Sequence, residues 1–228
     1  MKKQPLIIAH RGFSGRYPEN TIAAVRGALD LGVDFVEIDV QETRDGELIV
    51  FHDYRLYRIC RVRGRVRNKT LAEIKQLNRQ VPTLTEVLKE CRDKARVLIE
   101  IKGADPRKVA TTITEHRMER EVIVFSLSIP RLKAFAETAP RITCFGLIAR
   151  SLKSQVTRLK ASVSVSGLGL SRRLVNSPRV VEGIHRRGWK VFVWTVNREA
   201  EMRKLARWGV DGLITNYPDR AKSCLARP

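Results

Sequence analysis

Two strand-like segments carry ionisable side chains at a spacing of two. Glu37 and Asp39 lie in Phe35–Gln41, and Glu100 and Lys102 lie in Val97–Lys102. Side chains alternate across a strand, so each pair shares one face, while Val36, Ile38 and Val40 fill the opposite one. Carboxylates gathered on an interior face repel one another and lose hydration. A divalent cation relieves both costs. Three carboxylates with no obligatory Cys or His form an oxygen-rich donor set that favours Mg²⁺ or Ca²⁺ over zinc. The structural alternative is a set of ion bridges, with Lys102 paired to Glu37 or Glu100. His10 follows the apolar run Leu6–Ala9, and His52 follows Ile49-Val50-Phe51. Either could be a core histidine, but beside a carboxylate cluster they form a candidate general acid/base pair. Arg11 has the fork geometry for a phosphate, and Gly12 permits a close backbone or ligand approach. Trp194 is either an apolar wall over a substrate or a core residue. His116 and His185 fall on helical segments and read as structural or solvated.

These residues need elements that bring them together. Eight short apolar runs read as buried strands: Leu6–His10, Phe35–Gln41, Val97–Lys102, Val122–Ser126, Ile142–Ile148, Ser162–Gly167, Lys190–Val196 and Gly212–Thr215. Helical patterns alternate with them. Asn20 or Thr21 can cap a helix ending near Gly32, and Thr83-Leu84-Thr85-Glu86 reads as a capping box opening a helix to about Lys94. Further helices are expected over 106–118, 128–138, 151–160, 173–187 and 198–208. Eight such alternations predict an α/β fold, a single (β/α)8 TIM barrel over 1–228 with a small insertion after the second strand, about 42–69. A doubly wound sheet is the alternative, weakened by the absence of GxGxxG after the first strand. The insertion holds an extra strand, Glu47–His52, and arginines at 55, 58, 61, 63, 65 and 67. Arginines that dense must be solvated or meet anions. In a barrel the candidate residues would all fall at the C-terminal ends of strands, where such folds place their chemistry.

The 228 residues include 44 Lys plus Arg against 24 Asp plus Glu, a net charge of +20. A charge of that size points to nucleic acid, an anionic membrane surface, acidic substrates or a solvated basic surface. No nucleic-acid-binding motif occurs, so nucleic acid is not an expected partner. Four scattered cysteines form no disulfide framework and suggest a reducing compartment. The apolar stretch Leu6–Ala9 is too short for a signal-peptide core, and no run reaches the length of a membrane span. A cytoplasmic location is expected.

One family shows these features in this order. The series His10-Arg11-Gly12, Pro18-Glu19-Asn20-Thr21, Glu37-x-Asp39, Asp45-Gly46, His52-Asp53, Pro82-Thr83-Leu84, Glu100-x-Lys102, Trp194-Thr195-Val196-Asn197 and Gly209–Pro218 closely resembles the glycerophosphodiester phosphodiesterase family from about Leu6 to Asp219. The resemblance implies a (β/α)8 barrel that uses a divalent cation to hydrolyse glycerophosphodiesters to sn-glycerol 3-phosphate and an alcohol, a step of lipid and glycerol metabolism. It implies Glu37, Asp39 and Glu100 as metal ligands, and His10 and His52 as the general acid/base pair. Arg11 and Lys102 match positions associated with the phosphate, and Trp194 falls in a matching motif. The chain departs from the family at Asn216, where many members have Asp, and in its arginine density. Two alternatives remain beside this reading. One is a lysophospholipase D-like or other lipid phosphodiesterase at a membrane surface, and the other is a non-catalytic anion-binding barrel.

Overall fold

The computed structural model describes residues 4–226. Nine strands form one sheet: β1 (Leu6–His10), β2 (Phe35–Glu42), β3 (Leu48–Val50), β4 (Arg96–Ile101), β5 (Val122–Ser126), β6 (Thr143–Ile148), β7 (Gly167–Ser171), β8 (Lys190–Trp194) and β9 (Gly212–Thr215). β1 pairs in parallel with both β2 and β9, which closes eight strands into a barrel. β3 pairs antiparallel with β2 and stands outside the ring. The expected barrel with an extra strand is therefore present, although β3 is only three residues long.

Helices connect the strands: α1 (Ile22–Asp30), α2 (Tyr57–Cys60), α3 (Leu71–Leu77), α4 (Leu84–Cys91), α5 (Pro106–Glu115), α6 (Ile129–Thr138), α7 (Leu152–Ser162), α8 (Pro178–His185), α9 (Glu199–Trp208) and α10 (Pro218–Leu225). Thr21 caps α1, its hydroxyl accepting from Ala24 N at 3.2 Å. Thr83 with Glu86 and Thr70 with Glu73 both form complete capping boxes, which satisfy otherwise orphaned N–H groups.

Burial follows the strand period. On β2, Val36, Ile38 and Val40 join the layer between barrel and helices, while Phe35 joins Ile8, Leu98, Phe125, Phe145 and Phe192 inside the barrel. Glu37 and Asp39 continue the face of Phe35 toward the C-terminal end, and Glu100 continues that of Leu98. The barrel interior is thus apolar at its N-terminal end and ionisable at the other. The insertion has its own apolar centre, with Ile49, Phe51, Leu56, Val66, Ile74 and Val81 all buried.

Two expectations are corrected. The strand expected at Ser162–Gly167 is β7, Gly167–Ser171, because α7 runs on through Ser162. Glycines disguise this strand as a turn. A Cβ on Gly167 would stand 2.5 Å from Phe145 Cε2, and one on Gly169 would stand 2.8 Å from Leu147 Cδ1. Large side chains from β6 fill the interior there, so β7 needs hydrogen where other strands carry residues. The helix expected over 173–187 covers only Pro178–His185, with a short 3-10 turn at Arg172–Leu174 before it. The structure also adds α10, whose Lys222 ammonium donates to Leu31 O and Gly32 O at the end of α1.

Candidate active site

The parallel register brings the ionisable residues to one level. His10 pairs with Glu37 across β1 and β2, and Asp39 pairs with Glu100 across β2 and β4. Glu37, Asp39 and Glu100 are buried, and each offers a carboxylate oxygen within 4.8 Å of the others. Burial, then repulsion from Asp39, raises the Glu37 carboxyl well above the ordinary range. The same two causes bring Glu100 to about 7, against the pull of Lys102. Asp39 behaves differently. Burial would raise it, but the cations Lys102 and Arg11 hold it below its usual value.

Lys102 bridges two of the three, its Nζ 2.8 Å from Glu100 Oε1 and 3.4 Å from Asp39 Oδ1. Arg11 Nε lies 3.2 Å from Asp39 Oδ2, and Asn20 Nδ2 donates to the same oxygen at 3.0 Å. Arg11 sits in a left-handed turn with φ 56°, from which its backbone N–H donates to Glu37 Oε2 at 2.9 Å. Gly12 follows with φ +74°, and a Cβ there would stand 2.6 Å from the Ala24 carbonyl carbon. That close approach locks the first turn against α1. Glu37 has no Lys or Arg side chain within ion-pair distance among the described residues; the ring nitrogen His10 Nε2 lies 4.0 Å from its Oε2.

The two histidines have unlike partners. His10 Nδ1 lies 2.6 Å from Asn216 Oδ1. An oxygen acceptor requires Nδ1–H, which leaves the Nε2 lone pair free. Burial and then Arg11 lower His10 to about 4, which favours the neutral imidazole. His52 Nδ1 lies 2.6 Å from Asp53 Oδ1, and a carboxylate partner favours the imidazolium. Burial, with Arg11 and Lys102 nearby, still lowers its pKa against the pull of Asp39 and Asp53. Burial pushes both rings the same way, and what distinguishes them is the partner on Nδ1, a neutral amide for His10 and a carboxylate for His52.

His10, Arg11, Glu37, His52, Glu100, Lys102 and Trp194 share the wall of one cavity of about 180 Å³ at the C-terminal end of the barrel. Trp194 lines this cavity, and its indole N–H is buried with no acceptor among the described residues. A larger cavity, about 680 Å³, opens at the opposite end, on Leu6, Phe35, Phe145 and Phe192. It lacks the carboxylate cluster, and the chemistry collects in the smaller one. All eight site residues expected from sequence therefore meet at one place. His116 caps the end of α5 and His185 ends α8, both on the outer ring.

Sequence reasoning named four further residues of the site without giving them a role in it. Asn216 orients His10, Asn20 holds Asp39, and Glu19 receives Arg11 Nη1 at 2.9 Å. Arg58 is the fourth. For Asn216 the signal was its position one residue beyond the last strand, at the reactive end of the barrel. Glu19 and Asn20 sit in the loop leaving β1 at the same end.

Known proteins resemble this chain in sequence and fold. Residues 10–220 match the model of the glycerophosphoryl diester phosphodiesterase family. The glycerophosphodiester phosphodiesterase of Caldanaerobacter subterraneus subsp. tengcongensis is 36% identical, over 94% of this chain and 95% of the relative. The crystal structure of glycerophosphodiester phosphodiesterase from Agrobacterium tumefaciens str. C58 superposes with a TM-score of 0.84 at 28% identity, covering 96% of this chain and 99% of that one. An Oleispira antarctica phosphodiesterase in complex with the product sn-glycerol-3-phosphate superposes with a TM-score of 0.87 at 26% identity, covering 98% of both chains.

Proposed function

This chain belongs to the glycerophosphoryl diester phosphodiesterase family and is an enzyme of that class, and from that premise we propose that it hydrolyses glycerophosphodiesters to sn-glycerol 3-phosphate and an alcohol by cation-assisted acid/base catalysis. The observation that carries the proposal is the meeting of two differently partnered histidines and a buried carboxylate triad around one cavity. The product bound by the Oleispira antarctica relative supports the same substrate class.

The residues present fit a divalent cation. Glu37 is a buried carboxylate with no Lys or Arg partner, and its raised proton affinity measures the cost of leaving it ionised beside Asp39. Glu37, Asp39 and Glu100 would hold the ion, an all-carboxylate set suited to Mg²⁺ or Ca²⁺. Bound there, it would supply Lewis-acid stabilisation of charge on the phosphate. Cation and protons compete for the same oxygens, so apparent affinity rises with pH. Glu100 at about 7 places much of the rise below neutrality. Titration calorimetry with Mg²⁺ and Ca²⁺ is expected to show affinity climbing from about pH 5 to about pH 8, then levelling. Affinity that stays flat across this range removes the triad as the ion's site.

The chain's own groups share the remaining work. Arg11 and Lys102 take the equatorial phosphate oxygens, where charge grows as the bond breaks. Trp194 offers its free N–H and an apolar face to the substrate. His10 Nε2, kept unprotonated by burial and Arg11 while Asn216 fixes the ring proton on Nδ1, takes a proton from the nucleophile, either water directly or a glycerol hydroxyl whose cyclic phosphate water then opens. His52, oriented by Asp53, gives a proton to the departing alkoxide. The whole chain acts as one domain in this reading, with 42–69 as its insertion and the four free cysteines suited to the cytoplasm.

The direct test is product formation. Glycerophosphocholine with Mg²⁺ or Ca²⁺ yields glycerol 3-phosphate, detected by coupled oxidation. No product from a panel of head groups with either ion overturns the reading. One observation favours the lysophospholipid variant of the activity. Tyr54 and Tyr57 are exposed on the insertion, and Leu127, at 49% exposure, lines the cavity. Such an apolar mouth amid arginines suits a weak approach to an anionic membrane surface. Faster turnover of lysophosphatidylcholine than of glycerophosphocholine selects that variant. No helix of the described residues is long and apolar enough to cross a membrane.

A further inference from the structure

Arg58 is unlike the other arginines of the insertion. Arg55, Arg61, Arg63, Arg65 and Arg67 are exposed, and no ion pair of theirs occurs among the described residues. Arg58 forks onto two carboxylates at once. Its Nη1 and Nη2 donate to Glu19 Oε2 and Oε1 at 2.7 and 2.6 Å. Its Nε and Nη2 donate to Asp53 Oδ2 and Oδ1 at 2.6 and 3.2 Å. Both carboxylates reach onward into the cavity. Asp53 Oδ1 accepts from His52 Nδ1 at 2.6 Å, and Glu19 Oε1 accepts from Arg11 Nη1 at 2.9 Å.

The base under this fork is firm. Leu56, just ahead of α2, is fully buried with Ile49, Phe51 and Val66 in the insertion's apolar centre. An isolated exposed ion pair adds little to stability. Arg58 is itself 45% exposed, but a guanidinium that forks onto two acids at once fixes geometry, because its planar fork allows few other arrangements. Burial alone would raise the Asp53 carboxyl, but Arg58 and His52 hold it down at about 2. It therefore stays an acceptor for Nδ1–H.

We propose that Arg58 is a positioning residue of the reaction, holding His52 through Asp53, so that the insertion sets the alignment of the proton donor; the Glu19 fork anchors Arg58 itself, while Arg11 keeps its own contacts to Asp39 and Glu37. This rests on the reading of His52 as the proton donor. A misplacement of about 1 Å at a catalytic group can cost on the order of a hundredfold. Arg58 touches no reacting atom, so part of that is expected.

The experiment compares two leaving groups. Glycerophosphocholine expels an alkoxide that needs a proton, while the p-nitrophenyl ester of glycerol 3-phosphate expels a stable phenolate that does not. Arg58→Ala is expected to lower kcat on the choline ester by about thirtyfold and on the nitrophenyl ester by less than about threefold. Millimolar ethylguanidinium is expected to restore part of the choline-ester rate. Arg63→Gln leaves both rates unchanged and controls for lost surface charge. Circular dichroism verifies the fold, and if R58A unfolds, R58K serves in its place, since an ammonium cannot fork onto both acids. No loss, or equal losses on both substrates without rescue, overturns the proposal. His52→Ala tests the underlying reading separately, and its loss must show the same substrate dependence. If it does not, the proton-donor assignment fails, and Arg58 is judged by the R58A/H52A double variant. Losses that multiply mean that Arg58 does not act through His52; a double loss no greater than that of H52A means that it does.

Discussion

His10→Ala and His52→Ala each lower kcat on glycerophosphocholine by at least about a hundredfold while the protein stays folded. The two losses have different causes. Without His10 no buried neutral imidazole faces the nucleophile, and Asn216 Oδ1 loses its partner. Without His52 the alkoxide leaves unprotonated, and Asp53 keeps only Arg58. The p-nitrophenyl ester separates them, since it spares H52A and leaves H10A impaired. Steady-state kinetics on both esters, with circular dichroism for the fold, decides the matter. Near-normal turnover by either variant removes that histidine from the reaction.

Glu37→Gln removes measurable cation binding and lowers kcat by at least about a hundredfold. Its effect on stability has the opposite sign. Glu37 is buried without a Lys or Arg partner, and its ionisation is opposed by burial and by Asp39. A neutral amide of the same shape can still accept from the Arg11 backbone N–H, so the cation-free variant is expected to melt above the cation-free parent at pH 8. The parent gains stability when Mg²⁺ or Ca²⁺ is added, because a ligand bound only by the native state shifts unfolding. The variant does not. Asp39→Asn is the contrasting case. Asp39 is held by Lys102, Arg11 and Asn20, so the same chemical change breaks native pairs and lowers the melting temperature. Calorimetric scans with and without cation check both signs. A Glu37→Gln protein that melts lower than its cation-free parent means that Glu37 is a structural acid.

These contrasts between neighbouring carboxylates could not be read from spacing. Glu37-x-Asp39 and Glu100-x-Lys102 show that the side chains share faces, because alternation along a strand is a local rule. Which carboxylate receives a cation depends on the register between strands, and here Asp39 meets Glu100 while His10 meets Glu37. The misplaced seventh strand has the same origin. Gly167 and Gly169 look like turn residues until Phe145 and Leu147 are found in the space beside them. Asn216 is similar, since its place one residue beyond the last strand marks it in sequence, but its partner, His10 Nδ1 at 2.6 Å, comes only from the tertiary structure.

The amino-acid sequence by itself determined the alternation of strands and helices, the face each ionisable residue takes on its own strand, and the capping box at Thr83, all of them consequences of backbone periodicity and short-range hydrogen bonding. It also determined the set of chemical groups, and with them the family. The tertiary structure decided which of those groups stand together, which carboxylate lies buried without a Lys or Arg partner, and which one of six arginines forks onto Glu19 and Asp53. Long-range register and burial set distances of a few ångströms between residues far apart in the chain, and those distances govern proton affinity and charge pairing.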